Sequence, residues 1–301
     1  MLQATHKSFA LTIAPFAFVV LWATGFVVSK LLAGHVAPVW FLGIRFPLAM
    51  AFMLAVALWQ KTPWPSPRLA FHASVTGVFM HALYLCPFYW AVSNGMPAGV
   101  IALVTGLQPL FTAFLAVPML KERVELKHWL GLIIGITGVG LVLLPKLSFA
   151  LIGGITPLTI SLAVFGTLSI AFGTVYQKKF ASGIPLSTGG VWQYAGAGVT
   201  ALIITAIIGD YQFDFSLQAW AAMGWAVIVL SVFTILLLLW LINQGAVSKL
   251  ASMNFLVPGV TALMTYLWFG ETLLPVQLFG MAICACAVLV VNRAARAPLI
   301  Q

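Results

Sequence analysis

Apolar runs of about 20 residues, the length one α-helix needs to cross a bilayer, recur along almost the whole of this 301-residue chain. Divided at Pro, Gly, Asn and charged breaks, they predict helices over residues 9–32, 38–59, 69–92, 97–118, 128–145, 155–177, 186–208, 219–242, 249–269 and 275–292. Only 6% of the residues are charged and 62% are hydrophobic, whereas soluble domains carry about 25% charged residues. The exterior must therefore face lipid, and the short connections leave no room for a sizeable soluble domain. Lys7 ahead of an apolar stretch resembles the start of a signal peptide, but Phe9 to Leu32 is longer than a signal core and further spans follow at once. It is expected to be a retained first helix.

The formal charge of +9 does not point to nucleic acid, because no basic run is longer than Lys178-Lys179. Single basic residues between apolar runs are topology signals instead. With the N-terminus inside, Lys7, Lys61, Arg68, Lys121, Arg123, Lys127, Lys178, Lys179, Lys249, Arg293 and Arg296 lie inside, against Lys30 and Lys146 outside. That bias puts both termini in the cytoplasm, and the membrane expected is a bacterial-type inner membrane. The three cysteines, Cys86, Cys284 and Cys286, lie within apolar segments and form no disulfide or metal pattern. No metal and no cofactor is expected.

Asn94, Pro109, Glu122 and Gly131 recur 149 residues later as Asn243, Pro258, Glu271 and Gly280, while Gly25 and Lys30 match Gly173 and Lys178. Two halves, 1–148 and 149–301, each with five helices, must enter the membrane from opposite sides. The fold class expected is thus an all-α integral membrane protein of ten helices, two inverted five-helix repeats around a central cavity.

A proline thirteen residues before a glutamate, followed by a Gly-rich apolar helix, occurs twice: Pro109 to Glu122 then Trp129–Leu144, and Pro258 to Glu271 then Phe279–Val291. With Trp22-Ala23-Thr24-Gly25-Phe26, this pattern resembles the drug/metabolite transporter superfamily in its EamA type. The region around His81-Ala82-Leu83-Tyr84 is similar to aromatic amino-acid exporters of the YddG type. The resemblance implies a basket-like bundle that exports metabolites from the cytoplasm.

Polar groups inside a membrane are costly and invite explanation. His81, Tyr84 and Phe88 share one helical stripe, suited to stack an aromatic ligand and bond its polar end, or alternatively to pack helices. Arg45 offers a planar fork for a carboxylate, unless it snorkels outward or ties down carbonyls. Thr105, Gln108 and Thr112 beside Pro109, and Ser252 and Asn254 before Pro258, mark matching polar breaks that either line a cavity or bond between helices. Trp22 is a further lining candidate, and Tyr176 is either an inner gate or an interface anchor. Glu122 and Glu271 suit helix ends, and Gly131 with Gly135 suits close packing.

The function expected is export of small metabolites, aromatic and other neutral amino acids foremost, by alternating access without obligatory ion coupling, since no acid lies near the middle of a predicted span. Drugs, nucleobases and sugars are the alternative cargo. An intramembrane enzyme would need a His–acid pair, a diacid or a metal cluster, and the sequence has none. The partners expected are the bilayer and the cargo, with the protein a monomer or weak homodimer.

Overall fold

Lipid offers backbone amides no hydrogen bonds, so a chain this apolar must satisfy them within its own helices. The computed structural model describes residues 2–32, 34–96, 98–121, 126–149, 155–243, 253–269 and 274–294, and these are helical almost throughout. In chain order the rods are α1 (Leu2–Leu32), α2 (Pro38–Trp59), α3 (Pro67–Gly77, continued by a π segment Val78–Ala82 and Leu83–Ser93) and α4 (Ala98–Gly106 and Gln108–Leu120). There follow α5 (Leu126–Phe149), α6 (Pro157–Phe180), α7 (Leu186–Ile208) and α8 (Leu217–Gly224, a π segment Trp225–Phe233 and Thr234–Asn243). The last two are α9 (a 3-10 turn Asn254–Leu256, then Val257–Phe269) and α10 (Pro275–Ala294). Their starts carry the expected signals. Ser66 and Ser216 accept bonds from the Leu69 and Ala219 amides, and Thr156 with Thr159 forms a reciprocal box before Pro157.

Among the described residues, seven stretches are long and apolar enough to cross a membrane: Ile13–Leu32, Pro38–Trp59, Pro67–Ser93, Val100–Leu120, Pro157–Phe180, Leu186–Ile208 and Leu217–Leu238. Trp129–Leu141 and Pro275–Ala287 are shorter apolar helices, and part of the predicted ninth helix lies outside the described residues. Phe71, Phe114, Ile203 and Phe233 are each more than half exposed, as a lipid-facing surface requires. The break in α4 falls at Leu107 rather than at Pro109. Proline takes the first turn of the second segment, where its missing N–H costs nothing.

Packing pairs α2 with α7 and α5 with α10, while α3 lies against both α6 and α7. Glycines set the closest approaches. A Cβ on Gly77 would fall inside the Gln193 carbonyl, and one on Gly196 inside the Ser74 carbonyl. The α3–α7 crossing is therefore as tight as backbone allows, from both sides. In the α5–α10 pair a Cβ on Gly138 would lie 2.8 Å from the Cys284 amide, and Gly135 stands against the Phe255 ring.

Both ends of the α2–α7 pair are tied. At one end, Val36 and Phe213 form an antiparallel bridge, supported by Ala37 N–H to Gln212 O (2.9 Å) and Asp214 N–H to His35 O (2.8 Å). There His35 Nδ1 lies 3.0 Å from Asp214 Oδ2. At the other end the Ser187 hydroxyl bonds Thr62 (3.1 Å) and the Thr188 hydroxyl bonds the Pro63 carbonyl (3.2 Å).

Two outcomes follow. Gly77→Val and Gly196→Val each lower thermal stability by about 1–3 kcal/mol or prevent folding, read by melting and elution in detergent. Gly224→Ala, with open space around it, is neutral or gains about 0.5–1 kcal/mol. At the clasp, the hydrogen bond from His35, then that from Ser216, holds the Asp214 carboxyl below its ordinary 3.8. A carboxylate depressed on folding stabilises above its unfolded pKa, and that contribution disappears as pH falls through the folded value. Spin labels at 34 and 210 should separate below about pH 4. In Asp214→Asn the separation should no longer change with pH.

Candidate functional site

Where the π segments of α3 and α8 face α1, α2 and α7, the side chains leave about 690 Å³ of atom-free space, part of it continuous with the outside. Trp22, Gly25, Phe26 and Ser29 of α1 line it, with Arg45 and Phe46 of α2, and Tyr194 of α7. From α3 come Met80, His81, Tyr84, Leu85, Phe88, Tyr89 and Val92; α4 adds Ile101, and α8 adds Leu230, Ser231 and Ile235.

Arg45 is 6% exposed. Its Nε–H donates to Ser231 Oγ at 2.9 Å, and the Tyr194 hydroxyl donates to the Ser231 carbonyl at 2.6 Å. One residue of the α8 π segment thus holds both a guanidinium and a phenol. The buried Tyr89 hydroxyl stands near the guanidinium without reaching bonding geometry. No described helix carries an Asp or Glu. Asp210 and Asp214 fall between α7 and α8, and Glu122, Glu125 and Glu271 lie outside the described residues. Among the described residues the guanidinium therefore meets hydroxyls and rings, and no counter-charge.

His81 occupies the α3 π segment. Its Nε2 lies 3.3 Å from Gln193 Oε1, and its ring stacks on Tyr194 at 4.8 Å between centroids. Phe46 packs against both rings, 6.1 Å from Tyr194 and 6.2 Å from His81 between centroids. Tyr84 meets Phe88 edge-on at 4.8 Å, with its hydroxyl near Thr105 and Trp22. The result is an aromatic cage with one fixed cation at its edge.

The two polar contacts between opposite halves match in register. Arg45 lies seven residues beyond Pro38, where α2 begins, and Gln193 lies seven beyond Leu186, where α7 begins. His81 lies fifteen residues beyond the capping Ser66, and Ser231 lies fifteen beyond the capping Ser216. Arg45 to Ser231 and Gln193 to His81 are therefore the same contact made twice, with different chemistry.

Of the residues singled out in the sequence, Trp22, Arg45, His81, Tyr84 and Phe88 meet at this cavity. Thr105 lies behind Tyr84 and returns its hydroxyl to the Ile101 carbonyl at 2.8 Å. Gln108 and Thr112 are half-buried away from the lining. Tyr176 is remote from it. Its hydroxyl lies 2.7 Å from His72 Nδ1, and its ring packs on Phe180 at 4.7 Å, near the end of α6. Asn254 opens the 3-10 turn of α9, and Ser252, Glu122 and Glu271 lie outside the described residues. Sequence reasoning missed Tyr89, Gln193, Tyr194 and Ser231. Counting from the helix starts would have found Gln193 and Ser231, because they hold the places of Arg45 and His81.

Comparison with known proteins agrees with this architecture. The profile of the EamA-like transporter family matches residues 10–144 and again 157–293. The uncharacterised transporter YvbV of Bacillus subtilis is 26% identical over 93% of this chain and 90% of its own length. The uncharacterised inner membrane transporter YedA of Escherichia coli is 26% identical over 93% and 89%. A probable amino-acid metabolite efflux pump of Salmonella typhimurium is 27% identical over 91% of each chain. One solved crystal structure superposes with a TM-score of 0.73 at 19% identity, covering 95% of this chain and 98% of the other, which shows a shared fold.

A buried cation with no counter-charge costs free energy that an apolar residue of similar volume does not. Arg45→Met combined with Ser231→Ala should raise the thermal midpoint, by an amount on the order of 1 kcal/mol. Melting in detergent checks this, and a fall beyond 1–2 kcal/mol would mean that the guanidinium is structural.

Proposed function

We propose, since this chain belongs to the EamA-like transporter family, that its central cavity carries small amphipathic metabolites out of the cytoplasm, those that join an aromatic side chain to a carboxylate foremost, neutral aromatic amino acids among them. The chain is a multi-pass membrane transporter and not an enzyme. The observation that carries the cargo reading is the juxtaposition of the Arg45 guanidinium with the rings of His81, Tyr84, Phe88 and Tyr194 in one buried space. A planar fork suits a carboxylate, and offset or edge-on rings suit an aromatic side chain. The name of the Salmonella relative points the same way.

Ten spans arranged as two inverted halves, with both termini cytoplasmic, account best for the site. The register match of Arg45 with Gln193 and of His81 with Ser231 supports that arrangement, as does the pairing of α2 with α7 and α5 with α10. Alternating access then exchanges the roles of two equivalent halves around a fixed cavity. Movement needs no coupling ion, a reading supported by the lack of any acid on the described helices.

Purified protein in liposomes should speed uptake of labelled phenylalanine or tryptophan with no imposed ion gradient. Tyr84→Ala and Phe88→Ala should each slow aromatic uptake by roughly tenfold, the loss of one good ring contact, and slow alanine uptake less. If no neutral amino acid moves faster than in protein-free vesicles, the cargo assignment is wrong.

A further inference from the structure

We propose that the preferred cargo is an aromatic monocarboxylate lacking an ammonium group, a 2-hydroxy or 2-oxo acid, and that the membrane potential drives its exit. This rests on the transport reading above and narrows its substrate.

The cavity is unevenly provided. Arg45 donates from Nε to Ser231, and the Tyr89 hydroxyl stands beside the guanidinium. Five N–H donors in a planar fork make a guanidinium an incomplete structure until a carboxylate or its equivalent meets it. A carboxylate therefore has a place prepared for it. An ammonium does not. The groups nearest Arg45 are neutral dipoles and not acids: Ser231 Oγ accepts from Arg45 itself, the Ser231 carbonyl accepts from Tyr194, and the Tyr89 hydroxyl faces the guanidinium. No described helix offers an acid, and the His81 imidazole is engaged with Gln193 and stacked on Tyr194.

In an α-amino acid the ammonium sits on the carbon that carries the carboxylate. It cannot move away from Arg45 while the carboxylate stays bound. Two like charges at about 5 Å repel even at the effective dielectric of a half-wet protein site. Replacing the ammonium by a hydroxyl or a ketone removes that repulsion and keeps the ring, the carboxylate and the size.

The same asymmetry settles the energetics. A potential acts on the net charge carried. A zwitterion gains nothing from it, whereas a carboxylate leaving a cell that is negative inside runs down the electrical gradient. Export then needs no proton relay, and the described helices hold no acid to provide one.

The test uses the full chain in liposomes, with labelled phenyllactate and phenylalanine, which share a ring and a carboxylate and differ in hydroxyl against ammonium. Valinomycin with a roughly tenfold potassium gradient, high outside, makes the lumen positive. A freely equilibrating monovalent anion then accumulates roughly tenfold and a zwitterion not at all. Protein-free vesicles supply the leak. We expect phenyllactate to enter roughly tenfold faster than phenylalanine and to accumulate with the potential. Arg45→Gln, checked for monodisperse elution, should bring phenyllactate down to the phenylalanine rate. If that variant does not fold, Arg45→Lys takes its place, and the wild-type comparison stands by itself. Phenylalanine uptake equal to or faster than phenyllactate, or phenyllactate indifferent to the potential, overturns this proposal and leaves the transport reading intact. Uptake of neither overturns both.

Discussion

A guanidinium held inside a lipid-embedded bundle whose described helices carry no carboxylate is the constraint around which the rest of this structure is arranged. A bare charge in hydrocarbon is prohibitively costly, and proteins tolerate one only beside hydrogen bonds, dipoles or water. Here the surroundings are neutral dipoles. Ser231 takes the Nε proton, and tyrosine hydroxyls face the same space. Their presence in α3 and α7 follows from the need to make one small region polar while the outer faces stay apolar. A salt bridge would have stabilised Arg45 more, but it would have filled the fork that a cargo must use.

The π segments explain how two helices deliver those groups. A wide turn inserts an extra residue, shifts the side chains beyond it and frees carbonyls. In α8 the Val229 carbonyl left by this widening accepts both the amide and the hydroxyl of Thr234, the latter at 2.7 Å. In α3 the same device ends at Ala82 and presents His81 towards Gln193. Both wide turns pack against a partner helix from the other half of the chain, α3 against α7 and α8 against α2. The tight glycine crossing at Gly77 and Gly196 fixes the depth at which His81 meets Gln193. A bulkier residue there would move the imidazole as well as the helix.

Much of this was legible in the sequence, for a physical reason. An ionisable or aromatic residue inside an apolar run stands out because lipid penalises it, and Trp22, Arg45, His81, Tyr84 and Phe88 were visible on that ground. Membrane class and helix positions followed from run length alone. Ser231 and Gln193 did not stand out, because a serine or an amide within a helix can satisfy itself locally or across a helix pair at little cost. Their role comes from a partner 186 or 112 residues away. The stripe at Thr105, Gln108 and Thr112 misled in the opposite sense. A threonine hydroxyl can return to its own helix, as Thr105 does to Ile101, so polarity by itself did not locate the cavity. Hydrophobic periodicity could not reveal the π segments, since one inserted residue in an all-apolar run leaves the pattern unchanged.

The ties at the two ends limit how such a cavity can be reached. Bonds between the 35–37 and 212–214 connections join the α2–α7 pair at one end, and hydroxyl bonds from Ser187 and Thr188 to the 62–63 connection join it at the other. The first tie adds a charge-assisted contact between half-exposed groups, which solvent and salt weaken. The second has neutral hydroxyls only. Neither is strong enough to be permanent, and each takes one strand of connection from either half. Arg45 and Gln193 stand between them, at matching distances from the starts of antiparallel helices. A pair tied weakly at both ends and bonded to the π segments between them keeps its polar groups in place whichever end loosens. That separation lets the guanidinium remain in a polar environment while its access to solvent changes, the condition a buried charge must meet in a protein that opens.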